Sequence, residues 1–195
     1  MVHFIAFIFS FMDIIHLESV DSTNNYIKRL VRKSASENLF VVAAQQTNGR
    51  GSGERTFLSE IGGLYLSFLM TVSTLPEDTI PITKSAAGAV FESLSSVYPE
   101  LEFKIKPRND IYLNGKKLCG ILTEMIGQKV IIGVGINVNN SSFPDAINAT
   151  SLSIENKCTQ DLSIVEQSVI ASLSSLYRCW PDVSRYDEIY DANLI

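Results

Sequence analysis

Two tight turns in the middle of the chain constrain its fold more than any other feature. DIYLNGKKLCGILTEMI (110–126) turns at Asn114-Gly115, and Gly127-Gln128-Lys129 separates it from VIIGVGINV (130–138). Asn-Gly between apolar runs is a strong signal for a two-residue hairpin. The runs on either side are therefore expected to pair antiparallel, with FKIK (103–106) as a further strand before them.

The rest of the chain supplies helices to cover such a sheet. DIIHLES (13–19) reads as a strand, and DSTNNYIKRLVRK after it reads as a helix. Asp21 or Ser22 can cap that helix, and Tyr26, Ile27, Leu30 and Val31 form its apolar face. LFVVAA (39–44) and GLYLSFLMT (63–71) are buried strands, and residues 46–60 between them are a Gly-rich polar loop. Ile82, Ala86, Ala89, Val90, Leu94 and Val97 mark a helix over 82–97, in a region punctuated by Pro76, Pro81 and Pro99. A final helix is expected to start at the capping box Ser163/Glu166, run on Val165, Val169, Leu173, Leu176 and Trp180, and end at Pro181. The predicted class is α+β: a mixed, largely antiparallel sheet flanked by helices. A strict βαβ repeat is lacking, which counts against a doubly wound fold.

Composition removes several functions. A chain of 195 residues with 46% apolar content suits one globular domain. A net charge of −5 gives no general attraction to nucleic acid or anionic membrane. Cys119, Cys158 and Cys179 are an odd number without a CxxC pair, which counts against a disulfide framework or a Cys-rich zinc site. His3 and His16 are the only histidines, which counts against a His-based metal centre or a serine triad. Residues 1–12, MVHFIAFIFSFM, lack the positive start of a secretory signal and are too short to span a bilayer. Met12 is expected to be the true start, making residues 1–11 an upstream extension; an added strand or disordered end is the alternative. A cytoplasmic protein is expected.

Three clusters carry chemistry. In QTNGRGSGERTF (46–57), Gly49, Gly51 and Gly53 let backbone approach a ligand, and Arg50 and Arg55 offer planar donors to phosphate or carboxylate. Phe57 can stack on a base or support the loop. Composition alone favours a mobile surface loop with scattered charge. KIKPRND (104–110), followed by Lys116, Lys117 and Gly120, brings cations and one carboxylate to adjacent strands. Ordinary surface charge on a hairpin is the simpler account of that cluster taken alone. In GVGIN (133–137), Gly133 and Gly135 share a strand face and leave a slot for a flat ligand or for packing.

Taken together and in order, these segments resemble the biotin–protein ligase family over residues 13 to about 190. That family has a Ser-Thr-Asn helix start, here Ser22-Thr23-Asn24; its loop QTxGRGRxGRxW is QTNGRGSGERTF here. Its KWPNDI…KKxxGIL is here KPRNDI…KKLCGIL, its IGIGIN is IGVGIN, and its ATSL is Ala149–Leu152. The resemblance implies a fold like the core of class II aminoacyl-tRNA synthetases. It also implies a biotin site of Ser22, Thr23, Asn24, Gln46, Gly49, Arg50, Gly51, Ser52, Lys117 and Gly120. ATP is expected at Arg50, Arg55, Phe57, Lys106, Asn109 and Asn137, and Lys117, Arg50 and Asp110 are the catalytic candidates. Asp110 is expected to orient Mg²⁺ or the incoming lysine amine. The reaction implied is ATP-dependent formation of biotinyl-5′-AMP and transfer of biotin to a lysine of a biotin carboxyl carrier protein. It needs no enzyme nucleophile.

Departures from the family pattern are also legible. Ser52 replaces a loop arginine and Glu54 a glycine, so weaker retention of the adenylate is expected. Pro107-Arg108 replaces Trp-Pro. On the same resemblance, residues 13–195 are the catalytic domain, with neither the N-terminal DNA-binding module nor the small C-terminal β-barrel. Repressor activity is not expected, nor is binding to nucleic acid or membrane, and the state is monomer or homodimer. The alternatives are a lipoate or octanoate ligase of the same fold and a non-catalytic biotin or nucleotide sensor.

Overall fold

The computed structural model describes residues 12–33, 38–53, 55–72 and 74–195. Expectations for residues 1–11 lie outside the described residues. The chain runs β1 (Asp13–Val20), α1 (Thr23–Arg32), β2 (Leu39–Gln46), β3 (Leu64–Thr71), α2 (Ile80–Val97), β4 (Phe103–Lys106), β5 (Asp110–Leu113), β6 (Lys116–Ile126), β7 (Lys129–Ile136), α3 (Leu152–Asn156), α4 (Leu162–Cys179) and α5 (Ser184–Ala192). The strands form one seven-stranded sheet in the order β1-β2-β3-β7-β6-β5-β4. Only β1 and β2 pair parallel; the other five pairs are antiparallel. The mixed, largely antiparallel sheet expected from the hairpins is thus the fold observed.

Local chemistry accounts for the meander. Asn114 and Gly115 take φ of 51° and 74°, the left-handed pair that a tight hairpin needs. Gly127, at φ 58°, turns β6 into β7. Side chains alternate across the sheet, so each strand feeds two layers. Phe40, Val42, Leu66, Phe68, Met70, Ile132 and Val134 join the large core under α2, α4 and α5. The rings of Phe40 and Phe68 stack there at 4.3 Å. On the opposite face, Leu39, Val41, Leu69 and Ile131 pack with Ile27 of α1 in a much smaller cluster.

Two readings of the C-terminal region are corrected. The capping box is not formed: α4 begins at Leu162, and Asp161 caps it by accepting from the Ser163 amide at 2.9 Å. Glu166 instead bonds His16 across 2.7 Å, tying α4 to β1. Nor is α4 the last helix, because α5 follows and packs on α2. That contact is close: a Cβ at Gly88 would lie 2.1 Å from the Tyr186 carbonyl oxygen, so only glycine fits. No helix among the described residues is long and apolar enough to cross a membrane.

Candidate functional site

The face shared with α1 is only partly covered, and its open end forms a cavity. Ser22, Thr23 and Asn24 come from the start of α1, and Gln46 from the end of β2. The following loop contributes Arg50, Gly51, Ser52, Arg55, Thr56 and Phe57. Asn109, Asp110, Lys117 and Gly120 come from the β5–β6 hairpin, and Gly133 and Gly135 from β7. Arg50, Lys117 and Gln46 therefore share one cleft. The loop is also more ordered than its composition suggests. Gly51 N donates to Arg55 O at 2.7 Å and Phe57 N to Gly49 O at 2.9 Å, forming a short antiparallel ribbon.

One end of the cavity is a neutral hydrogen-bonding cradle. Gln46 Oε1 accepts from the Thr23 amide (2.9 Å) and hydroxyl (3.1 Å), and Gln46 Nε2 donates to Ser59 Oγ (2.8 Å). Ser67 Oγ lies 2.7 Å from Thr23 Oγ1 and donates to Asn24 Oδ1 at 2.5 Å. Ser22 is the N-cap of α1 yet makes no side-chain cap bond, so its buried hydroxyl is left to the cavity.

The other end is cationic. Lys117 Nζ sits 2.8 Å from Asp110 Oδ1 and 5.7 Å from the Phe57 ring centre. Asp110 is the one carboxylate lining the cavity among the described residues, against Arg50, Arg55 and Lys117. Arg55 is held by Ser52, donating to its carbonyl at 3.1 Å and to its hydroxyl. A register irregularity at Ile111/Tyr112 arranges this end: Tyr112 pairs Lys117 and Ile111 pairs Cys119, skipping Leu118. Residues 117 and 120 differ in parity and would face opposite sides of a regular strand; the bulge lets both line the cavity. Between them Cys119 is fully buried, and burial, then the Asp110 charge, push its thiol up, so it stays protonated at neutral pH.

Bare glycines form the floor. A Cβ at Gly135 would lie 2.7 Å from the Phe57 ring, and one at Gly133 would lie 2.3 Å from Asn24 Oδ1. The slot expected over these glycines is thus occupied by the chain's own Phe57 and Asn24. The remaining cavity is about 90 Å³, below the roughly 300–1,000 Å³ of small-molecule sites. It adjoins a larger groove of about 700 Å³ that shares Arg55, Asp110 and Lys117 with it.

Three expected site residues are not brought to the cavity. Asn137 is buried and structural: its Nδ2 donates to Thr150 O at 3.0 Å and its carbonyl accepts from Leu152 N, tying residues 150–152 to the end of β7. Lys106 lies in a neighbouring groove, exposed, 5.1 Å from the Tyr112 ring centre. Gly49 belongs to the ribbon but does not line the cavity, and a Cβ there would lie 2.3 Å from Phe57 O and 2.4 Å from Ser59 Oγ. Asn109 lines the cavity, but its amide already donates to Ile121 O at 2.7 Å. Sequence reasoning missed Ser59, Ser67 and Glu124. Glu124 left a signal, as a lone carboxylate inside the apolar run of β6. Ser67 left a similar one inside the buried LYLSFLM of β3.

The site is thus a cavity on the α1 face of a seven-stranded sheet, floored by glycines, with one neutral hydrogen-bonding end and one cationic end. The model of the biotin/lipoate A/B protein ligase family matches residues 16–139, and the chain belongs to that family. It is 36% identical over 175 residues to the bifunctional ligase/repressor BirA of Bacillus spizizenii, covering 85% of this chain and 54% of that protein. It is 31% identical over 144 residues to the biotin–[acetyl-CoA-carboxylase] ligase of Mycobacterium tuberculosis, covering 70% and 54%. The chain thus spans about half the length of the curated relatives it matches. Among solved structures, the biotin protein ligase of Aquifex aeolicus in complex with biotin and ATP superposes with a TM-score of 0.83 at 31% identity, covering 94% of this chain and 78% of that one. The ligase of Leishmania major shares the fold at a TM-score of 0.81 and 24% identity, covering 94% and 81%.

Proposed function

We propose that residues 13–195 form the catalytic domain of a cytoplasmic biotin–protein ligase. The carrying observation is that Lys117, Arg50 and Arg55 meet the Thr23–Gln46–Asn24 cradle in one cavity, with a single carboxylate among the described residues. The cradle matches a ureido ring, which has two N–H donors and one carbonyl acceptor. Gln46 and Thr23 can exchange their mutual bonds for bonds to the ring. Reading a polar ring this way rejects analogues without it, because the cradle would be left unpaired.

The cations serve the anionic half of the reaction. An oxygen of the biotin carboxylate attacks the α-phosphorus of ATP, and pyrophosphate leaves. Lys117, which lines the cavity, would bridge the carboxylate and the α-phosphate, reducing their repulsion and stabilising the charge of the transition state. The acceptor lysine amine then attacks the acyl carbon, loses a proton and releases AMP. Asp110, paired with Lys117, would orient that amine or a Mg²⁺ ion. Among the described residues no cluster of three metal-ligating side chains exists. Mg²⁺ would therefore be held by the triphosphate with Asp110 as its protein carboxylate, a usual arrangement for this ion. The acceptor is a biotin carboxyl carrier domain, and the protein acts as a monomer or homodimer.

The test is biotin-dependent ATP–pyrophosphate exchange, followed by transfer of labelled biotin to a carrier domain. Lys117→Ala is expected to lower both rates on the order of 10²–10³-fold, the usual cost of removing one transition-state charge donor. Exchange driven by lipoate in preference to biotin would redirect the reading to a lipoate ligase. Biotin binding without pyrophosphate release by the wild type would make the protein a sensor.

A further inference from the structure

Glu124 has no place in the reaction just described, yet three polar side chains converge on it. It sits near the C-terminal end of β6, opposite Ile131 of β7, on the face that carries Gly120 and Leu122. Its Oε1 accepts from Lys28 Nζ at 2.7 Å and from Arg50 Nη1 at 3.0 Å. Its Oε2 accepts from Asn24 Nδ2 at 2.9 Å and lies 3.2 Å from the same Arg50 nitrogen. The carboxylate thus joins α1, the loop ribbon and the sheet. Burial drives its carboxyl pKa upward, but the hydrogen bonds from Lys28 and Asn24 and the charges of Lys28 and Arg50 outweigh it. The group is therefore ionised at neutral pH.

The way Arg50 is gripped matters most. Among the described residues its side-chain hydrogen bonds all fall on Nη1: to both Glu124 oxygens and to Asn25 Oδ1 at 3.3 Å. Nε and Nη2 have no partner among the described residues, and the side chain lines the cavity. A guanidinium fixed at one end keeps its remaining donors in a defined plane for an anion. A free arginine would have to lose that freedom when the anion arrived.

We infer that Glu124 is a positioning residue for Arg50, holding one end of the guanidinium so that the other end presents donors to an anion in the cavity. Through Asn24 the same carboxylate fixes the neighbouring wall of the neutral cradle. Glu124 touches no reacting atom in this scheme; it acts through Arg50. The kinetic part of this inference rests on the ligase reading, but the geometric part does not.

Two measurements separate them. The first needs no substrate: the Arg50 Nη–H resonance by NMR in wild type and Glu124→Gln, an isosteric change that removes the charge. The wild type should show a resolved, slowly exchanging signal, which the variant should lose while keeping a native spectrum elsewhere. An unchanged signal overturns the inference whatever the reaction is. The second is a double-mutant cycle in biotin-dependent ATP–pyrophosphate exchange. Glu124→Gln should lower kcat/KM about tenfold in wild type, as befits a charged hydrogen bond, and less than about twofold in Arg50→Ala. Equal losses in both backgrounds would overturn it, since a merely structural role would not depend on Arg50. No exchange by the wild type would overturn the ligase reading and leave the NMR result to decide Glu124. Should Glu124→Gln lose its native fold, Lys28→Met replaces it: it removes a competing cation while leaving Glu124 and Arg50 in place. The Arg50 signal should then persist, and its loss would count against the inference.

Discussion

Under α2, α4 and α5 the central strands present Phe40, Phe68, Met70 and Ile132, all fully buried; on the other face the same strands present Ser67, Gly133, Gly135, Gly120 and Glu124. The first set is large and apolar and leaves no room for anything else. The second is small or polar, and what it leaves is filled by Phe57, Asn24 and the cavity. The large core and the chemistry thus lie on opposite sides of one sheet, with the smaller cluster around Ile27 on the side of the cavity. A single register serves both, because neighbouring residues of a strand point to opposite faces.

The comparison is broken most severely from the packed side. Phe68→Ala removes a fully buried ring that stacks on Phe40. It should cost about 3–5 kcal/mol, and at roughly 2–4 °C per kcal/mol for a chain of this size calorimetry should show a large fall in Tm. Biotin affinity per folded molecule should hardly change. A loss of affinity without a loss of Tm would mean that the faces are not independent. Gly133→Ala sharpens the same contrast from the other side. Its methyl would lie 2.3 Å from Asn24 Oδ1, a side chain already bonded to Ser67, Leu122 O and Glu124. Overpacking of this kind costs about 1–3 kcal/mol, so Tm should fall less than for Phe68→Ala. Biotin titration should nevertheless show the larger loss of affinity here. An unchanged dissociation constant would remove Asn24 from the cradle.

The packed face was the more legible of the two. Strand patterns, the Asn114-Gly115 turn and the apolar spacing of α2 and α4 follow from local rules. The site was legible as a set of residues and less so as geometry. Gly133 and Gly135 announced an unfilled strip, but nothing local says that Phe57 returns across a ribbon to lie in it. Lys117 and Gly120 share a wall only because of a bulge that no turn residue marks. Asn137 reads as a polar strand end open to a ligand, whereas residues 149–152 return to bury it, a contact between segments distant in sequence. The capping box failed for a nearer reason: Asp161 stands two residues before Ser163 and takes its amide first. Helix α5 did carry a signal, in the spacing of Tyr186, Ile189 and Tyr190, which pack against the main core.

The attachment of the helices extends the contrast to its smallest effect. Helices α2 and α4 are held by buried apolar faces, whereas α1 buries few apolar residues and is tied at its start by ions. Arg29 reaches back to Asp21 with both terminal nitrogens, at 2.9 and 2.7 Å. The Arg29 hydrogen bond, opposed by partial burial and helped by the Ser22 amide, lowers the Asp21 carboxyl from 3.8 to about 2. A carboxyl lowered on folding stabilises the native state above its unfolded pKa and loses that effect as pH falls through the folded value. The pair therefore contributes fully above about pH 4 and fades toward pH 2. Both side chains are more than a third exposed, at 48% and 39%, so solvent screening limits the contribution to about 0.2–1 kcal/mol. Asp21→Asn should lower Tm at pH 7 by no more than about 4 °C, and the gap from wild type should close as pH is lowered from 4 to 2. A gap that stays constant over that range would show that α1 is held by packing, as the helices of the other face are.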